Sequence, residues 1–291
     1  MTPQEITAQE TLAKVFNVQN SQITILERFK LGMSNFTYKA QVGSDLYVIR
    51  IPGFMASLFV DFKIELKVLT AIKETNITSD VVYYQPESGI KISKYLEGVS
   101  LANLSDISSY YPEIAAKLHE LHALKLEIPT YNYFHRVKKY ESYLPGMIDP
   151  RYFELKRRII ILSGLKYANF KEVPTHGDIQ RSNIVLSQGQ LFFLDWEFFG
   201  INDPFYDVAS FGNISFDDSK ELLKHYLGRV PTIEESKRLI YNRILQTLQW
   251  YLVAKKKQQL YPNNELGLDF GAISEHYLDL SAKLLEEYEA T

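Results

Sequence analysis

Hydrophobic and polar positions along the chain change their spacing once, near residue 97. Before that point apolar residues come in short runs or alternate with polar ones. Residues 23–26, 35–42, 46–51, 81–84 and 89–96 are predicted strands. Two stretches break the pattern. Over 59–73, Phe62, Leu66, Leu69 and Ile72 recur at helical spacing. Ile6, Leu12, Val15 and Phe16 predict a short helix over 2–16. After residue 97 helical spacing dominates. Ile114, Ala115, Leu118, Leu121 and His122 share one face of a helix over 112–124, and helices over 131–143, 150–165, 232–257 and 270–287 follow. The expected architecture is α+β. A lobe over 1–96 carries a five-stranded antiparallel sheet with one helix, and a mainly helical lobe covers 97–291.

The helical half contains one exception. Residues 184–186 and 191–194 are short apolar runs around the turn-like Ser187-Gln188-Gly189-Gln190, and they predict a hairpin. A hairpin returns the chain to its start, so it brings Asp195 back toward Asn183 and Asp178. Phosphoryl transfer needs this set of groups: a carboxylate to orient and deprotonate the attacking hydroxyl, and two oxygen donors to hold Mg²⁺ against nucleotide phosphates. Asp178 fits the first role, Asn183 and Asp195 the second. Asp and Asn also cap turns, and it is the expected convergence of all three that separates a site from three caps. His176, two residues ahead of Asp178, is expected to brace the loop, and Glu197 to share the face of Asp195 for contact with metal or acceptor.

HGDIQRSN (176–183) followed by FLDWEFFGINDPFYDVASF (193–211) resembles the choline/ethanolamine kinase branch of the aminoglycoside-phosphotransferase-like kinases. The resemblance implies a protein kinase-like bilobal fold and an ATP- and Mg²⁺-dependent kinase acting on choline or a related amino alcohol. It implies a loop over the ATP phosphates at Gly32-Met33-Ser34-Asn35. It implies that Arg50, the cation inside the strand VIRIPG, takes the phosphate-binding place that is a lysine in protein kinases. Glu65 on the following helix is its expected partner, with Asp61 as a rival. Adenine is expected to meet backbone groups of Ser93, Tyr95 and Leu96 at a hinge. Asp207 is expected to support the catalytic loop. Trp250 falls where the family has the first tryptophan of a box for a quaternary ammonium; Val253 and Ile214 stand where the family has the second tryptophan and a glutamate. Packing in an ordinary core is the competing reading for Trp250.

Composition narrows the alternatives. A net charge of −3 gives no electrostatic case for nucleic acid. The absence of cysteine excludes disulfides and thiolate chemistry. The polar, acidic start and the lack of a long apolar run predict a cytoplasmic protein without membrane insertion, as monomer or homodimer. His119 and His122 lack a carboxylate partner at metal-ligand spacing and read as structural. The basic run 255–257 reads as a charged helix end. Competing functions are an aminoglycoside, thiamine or sugar kinase of the same superfamily, with Glu265, Asp269, Glu275 and Asp279 as scattered acids, or a nucleotide-binding pseudokinase module.

Overall fold

The computed structural model describes residues 1–29, 34–166, 170–262 and 266–291. In chain order the elements are α1 (Pro3–Phe16), β1 (Ile23–Phe29), β2 (Asn35–Val42), β3 (Asp45–Pro52), α2 (Phe62–Ala71), β4 (Val81–Gln85), β5 (Ile90–Lys94) and β6 (Val99–Ser100). They continue with α3 (Tyr111–His122), α4 (Tyr133–Glu141), α5 (Pro150–Lys166), β7 (Val173–Thr175), β8 (Ile184–Ser187), β9 (Gln190–Phe193) and β10 (Gly200–Asn202). The chain closes with α6 (Pro204–Phe211), α7 (Phe216–Leu227), α8 (Ile233–Leu260) and α9 (Phe270–Ala290). The α+β class is as expected. Helical spacing signals neither α6 nor α7, although Gly228 at φ +65° marks the end of α7 with the left-handed residue that closes many helices.

The chain divides into two compact units, Met1–Ser105 with Ser182–Glu197, and Asp106–Arg181 with Phe198–Thr291. The first contains the five-stranded sheet, antiparallel throughout, in the order β1-β2-β3-β5-β4. Alternation sorts its side chains: along β2, Phe36, Tyr38, Ala40 and Val42 are buried and the residues between them are not. Helix α1 covers β1–β3 with Ala8 and Leu12, both fully buried.

The β8–β9 hairpin belongs to this unit, whereas the sequence reading assigned everything after Leu96 to the second lobe. Hydrogen bonding is the reason. β8 pairs with β6, the Phe193 N–H donates to Ile77 O at 2.7 Å, and the Ser187 hydroxyl donates to Glu97 O at 2.7 Å. Gly98 permits the approach, since a Cβ there would sit 2.1 Å from Leu186 O.

The second unit is organised on α8, whose residues are buried almost without break from Leu239 to Ala254. It packs along α9 and against α4 and α6. Residues 255–257 are not simply an exposed end: α8 continues to Leu260, and Lys257 is 3% exposed, lying over the Phe270 ring. No helix among the described residues is long and apolar enough to cross a membrane.

Candidate active site

In the first unit one buried cation gathers three carboxylates. Arg50 lies on β3, paired in register with Thr37 of β2 and Lys91 of β5, and is 4% exposed. Its NH2 donates to Glu65 Oε2 at 2.6 Å and to Gly89 O at 3.2 Å. Its NH1 donates to Asp195 Oδ1 at 2.7 Å and Glu197 Oε2 at 3.4 Å. Glu65 also accepts from the Tyr84 hydroxyl at 2.9 Å and from Lys91 Nζ at 3.3 Å. The rival Asp61 has another task, capping α2 by accepting from the N–H groups of Lys63 and Ile64.

Burial opposes the charge on Arg50, Glu65 and Glu197, and pairing overcomes it at the first two. Desolvation works against the Arg50 cation, but Glu65, Asp195 and Glu197 hold its pKa well above the ordinary value. Desolvation likewise opposes an ionised Glu65, yet Arg50 and then Lys91 hold it down at about 2. Glu197 goes the other way. Burial first and the Asp195 charge second push it up, against the pull of Arg50.

Local structure aims Asp195. Its φ of +67° is a left-handed conformation uncommon outside glycine, so 195–197 do not continue the strand as an extended segment. Trp196 anchors the turn: the buried indole N–H donates to Thr78 Oγ1 at 2.9 Å and to Phe193 O at 3.2 Å. One residue earlier, the Leu194 N–H donates to Asn183 O at 2.8 Å, which closes the hairpin and sets Asn183 beside the turn. Asn183, Asp195 and Arg50 line one cavity of about 720 Å³, together with Ser93, Tyr95 and Leu96.

The donors suit magnesium. Mg²⁺ takes one or two protein oxygens and completes its shell with water and substrate phosphates. Asp195 is about one-third exposed, and its Oδ2 makes no hydrogen bond among the described residues. Asn183, whose side chain carries an amide oxygen, lines the same cavity.

Of the expected phosphate loop, Gly32 and Met33 lie outside the described residues. Ser34 holds the Gly53 N–H through its carbonyl at 2.9 Å, and Asn35 Nδ2 donates to Glu197 Oε2 at 3.1 Å. In the segment expected to form the hinge, the Tyr95 N–H is committed to Leu46 O and the Lys94 N–H to Asp80 O.

Asp178 lies in the second unit, in a loop held by its backbone. Asp207 on α6 is fully buried and accepts the His176 and Gly177 N–H groups, one on each oxygen, both at 2.8 Å. His122 Nε2 meets the same carboxylate at 3.1 Å, and its Nδ1 meets the Tyr226 hydroxyl at 2.8 Å, so His122 is a satisfied structural residue. Residue 177 has φ +82°, and a Cβ there would stand 2.1 Å from Phe198 O, so the loop requires glycine. His176 Nδ1 accepts the Asp178 N–H at 3.2 Å, and Gln180 Nε2 donates to Asp178 Oδ2 at 3.0 Å.

Trp250, on α8, is 8% exposed and meets Phe198 edge-on at 5.0 Å between ring centroids. The Arg136 guanidinium stands 4.4 Å from the Tyr131 ring and 6.0 Å from Phe198. A cation of the chain itself therefore borders these rings. Lys91 and Gln180 are contacts that sequence reasoning missed. Lys91 was signalled only by strand pairing opposite Arg50, and Gln180 by its place two residues after Asp178.

A model of a phosphotransferase enzyme family matches residues 25–235. Protein LicA of Haemophilus influenzae is 25% identical over 275 residues, covering 88% of this chain and 78% of that one. Among solved structures, a choline/ethanolamine kinase family protein from Mesorhizobium loti superposes with a TM-score of 0.80 at 20% identity, covering 98% of this chain and 96% of that one. Choline kinase LicA from Streptococcus pneumoniae does so with a TM-score of 0.75 at 22% identity, covering 99% and 100%. These are protein kinase-like folds, the architecture expected from the resemblance.

Proposed function

We propose, from the premise that this chain belongs to the phosphotransferase enzyme family, that it transfers the γ-phosphoryl group of ATP to the hydroxyl of choline or a related amino alcohol. The observation that carries this reading is the Arg50 cluster. A guanidinium locked by Glu65 and pointed at Asp195 beside a 720 Å³ cavity is the arrangement that holds nucleotide phosphates and their metal.

In this reading ATP lies in the cavity, with adenine against the segment Ser93–Leu96 and phosphates toward Arg50. Asn183 and Asp195 hold Mg²⁺, which when bound neutralises and orients phosphate charge. Ser34 and Asn35 contribute to the phosphate side of the site. Asp178 accepts the proton of the attacking hydroxyl, and Asp207 and Gln180 hold it in place. Glu197 steadies Arg50 and Asn35 through its hydrogen bonds. Trp250 and Phe198 supply the aromatic surface for a methylated cation.

Choline is preferred because the relatives similar over nearly the whole chain include a choline kinase and a choline/ethanolamine kinase family protein. An aminoglycoside acceptor would need free carboxylates. Glu275 and Asp279 are instead paired with Arg151, and Asp269 caps α9, while Glu265 lies outside the described residues. The test is ATP consumption with choline, ethanolamine, thiamine and kanamycin offered separately. Turnover with choline or ethanolamine supports the reading. Turnover with kanamycin alone replaces the acceptor, and ATP binding without turnover on any of the four favours a binding module.

A further inference from the structure

A helix buried on all sides is expected to be apolar, yet α8 carries Asn242, Arg243, Gln246 and Gln249, each at most 2% exposed. Buried polar groups need partners, and three have them. Asn242 donates to Asp203 Oδ2 at 3.0 Å, Gln249 Oε1 accepts from the Tyr131 hydroxyl at 2.9 Å, and Gln246 Nε2 donates to Tyr206 O at 2.6 Å. Arg243 is satisfied only in part. Its guanidinium makes no ion pair among the described residues, and its Nε has no hydrogen-bond partner. What it touches is two amide oxygens, Gln246 Oε1 and Asn213 Oδ1, both at 3.2 Å. Burial lowers its pKa from the ordinary value of a guanidinium, though Tyr277 and Asp178 pull the other way. Arginine remains a pure donor.

The bonds form a directed chain. Arg243 NH2 donates to Asn213 Oδ1, Asn213 Nδ2 donates to Gln180 Oε1 at 2.9 Å, and Gln180 Nε2 donates to Asp178 Oδ2 at 3.0 Å. Because arginine can only donate, Asn213 must present its oxygen to it and its NH₂ to Gln180. Gln180 must then present its own NH₂ to Asp178. A free glutamine serves either form of a neighbouring carboxyl, donating to the carboxylate or turning its oxygen to accept from the acid. The relay removes the second option and so raises the cost of protonating Asp178.

We infer that Arg243 is a positioning residue that fixes the polarity of the Asn213–Gln180 relay, so that Asp178 always meets a hydrogen-bond donor and stays ionised as a base. This rests on the reading of Asp178 as the base. Other charged or titratable groups around Asp178 are His176 in its own loop, Asp207 on α6, Arg181 paired with Asp218 of α7, and Tyr277 on α9.

The test is a titration of the Asp178 carboxyl by ¹³C NMR in aspartate-labelled protein, with the resonance assigned by its loss in Asp178→Asn. In Arg243→Met the midpoint rises by about half to one pH unit, the worth of one net hydrogen bond. In Arg243→Lys, which still only donates, it stays at the wild-type value. If Arg243→Met does not fold, Asn213→Ala, at a partly exposed loop position, breaks the same relay and gives the same rise. An unchanged midpoint in the variant read, or an equal rise in Arg243→Lys, overturns the inference. Turnover is measured separately with ATP and choline. If Asp178→Asn still phosphorylates, the base assignment fails whatever the titration gives.

Discussion

Arg50 NH1 and Asp195 Oδ1 stand 2.7 Å apart although 145 residues of chain separate them. One comes from the middle of the sheet, the other from a left-handed turn behind the β8–β9 hairpin, and Glu65 holds the far side of the same guanidinium. The arrangement ties the order of the proposed phosphate-binding group to that of the proposed metal ligand, and it sets the first predictions.

Breaking the clamp is expected to cost stability as well as activity. Removing one partner of a buried ion pair leaves an uncompensated charge, typically about 3–5 kcal/mol. Glu65→Gln should therefore lower the free energy of unfolding by roughly that order in urea titrations and weaken ATP binding. Arg50→Lys should not restore wild-type affinity, because an ammonium cannot fork between Glu65 and Asp195.

The same pair sets an acid limit. Glu65 is depressed in the folded state from 4.5 to about 2, so its contribution is fully present above the unfolded value and is lost as the pH falls through that window. Unfolding midpoints measured down the acid range should fall for the wild type and fall less steeply for Glu65→Gln, whose side chain does not titrate.

Magnesium dependence should localise to Asp195. Chelation of divalent cations is expected to abolish turnover, with activity restored by Mg²⁺. Asp195→Asn should raise the Mg²⁺ concentration needed for half activity and lower kcat by about 10²-fold or more, in keeping with the weight of electrostatic terms in phosphoryl transfer. A wild-type Mg²⁺ response in that variant would remove the ligand assignment.

Trp250 tests the acceptor surface. It is buried edge-on against Phe198, so Trp250→Ala is expected to cost about 3–5 kcal/mol of stability. Trp250→Leu, which refills part of the volume without a ring face, should raise the choline KM at least tenfold while leaving the ATP KM unchanged. An unchanged choline KM would make Trp250 a core residue only.

The sheet, the long helices and the hairpin were legible because alternation and helical spacing are local signals. The choice of Glu65 over Asp61 was legible only in part: both lie on or beside the same helix, and the capping role of Asp61 decides between them. Lys91 became visible only through strand register, which sets it opposite Arg50. The Arg243 relay joins three segments through polar contacts that no spacing rule predicts, although polar residues within the buried stretch of α8 were there to be read. The grouping of the hairpin with the first unit was hidden for a similar reason, since β6 is two residues long and gives no periodicity of its own.

The most direct test of the central claim is ³¹P NMR of the products after incubation of the protein with ATP, Mg²⁺ and choline, run beside Asp178→Asn. The account predicts a phosphocholine resonance and ADP with the wild type, and neither with the variant, which should still bind ATP. Phosphocholine formed equally by Asp178→Asn, or no phosphorylated product from choline, ethanolamine, thiamine or kanamycin with the wild type, would contradict it.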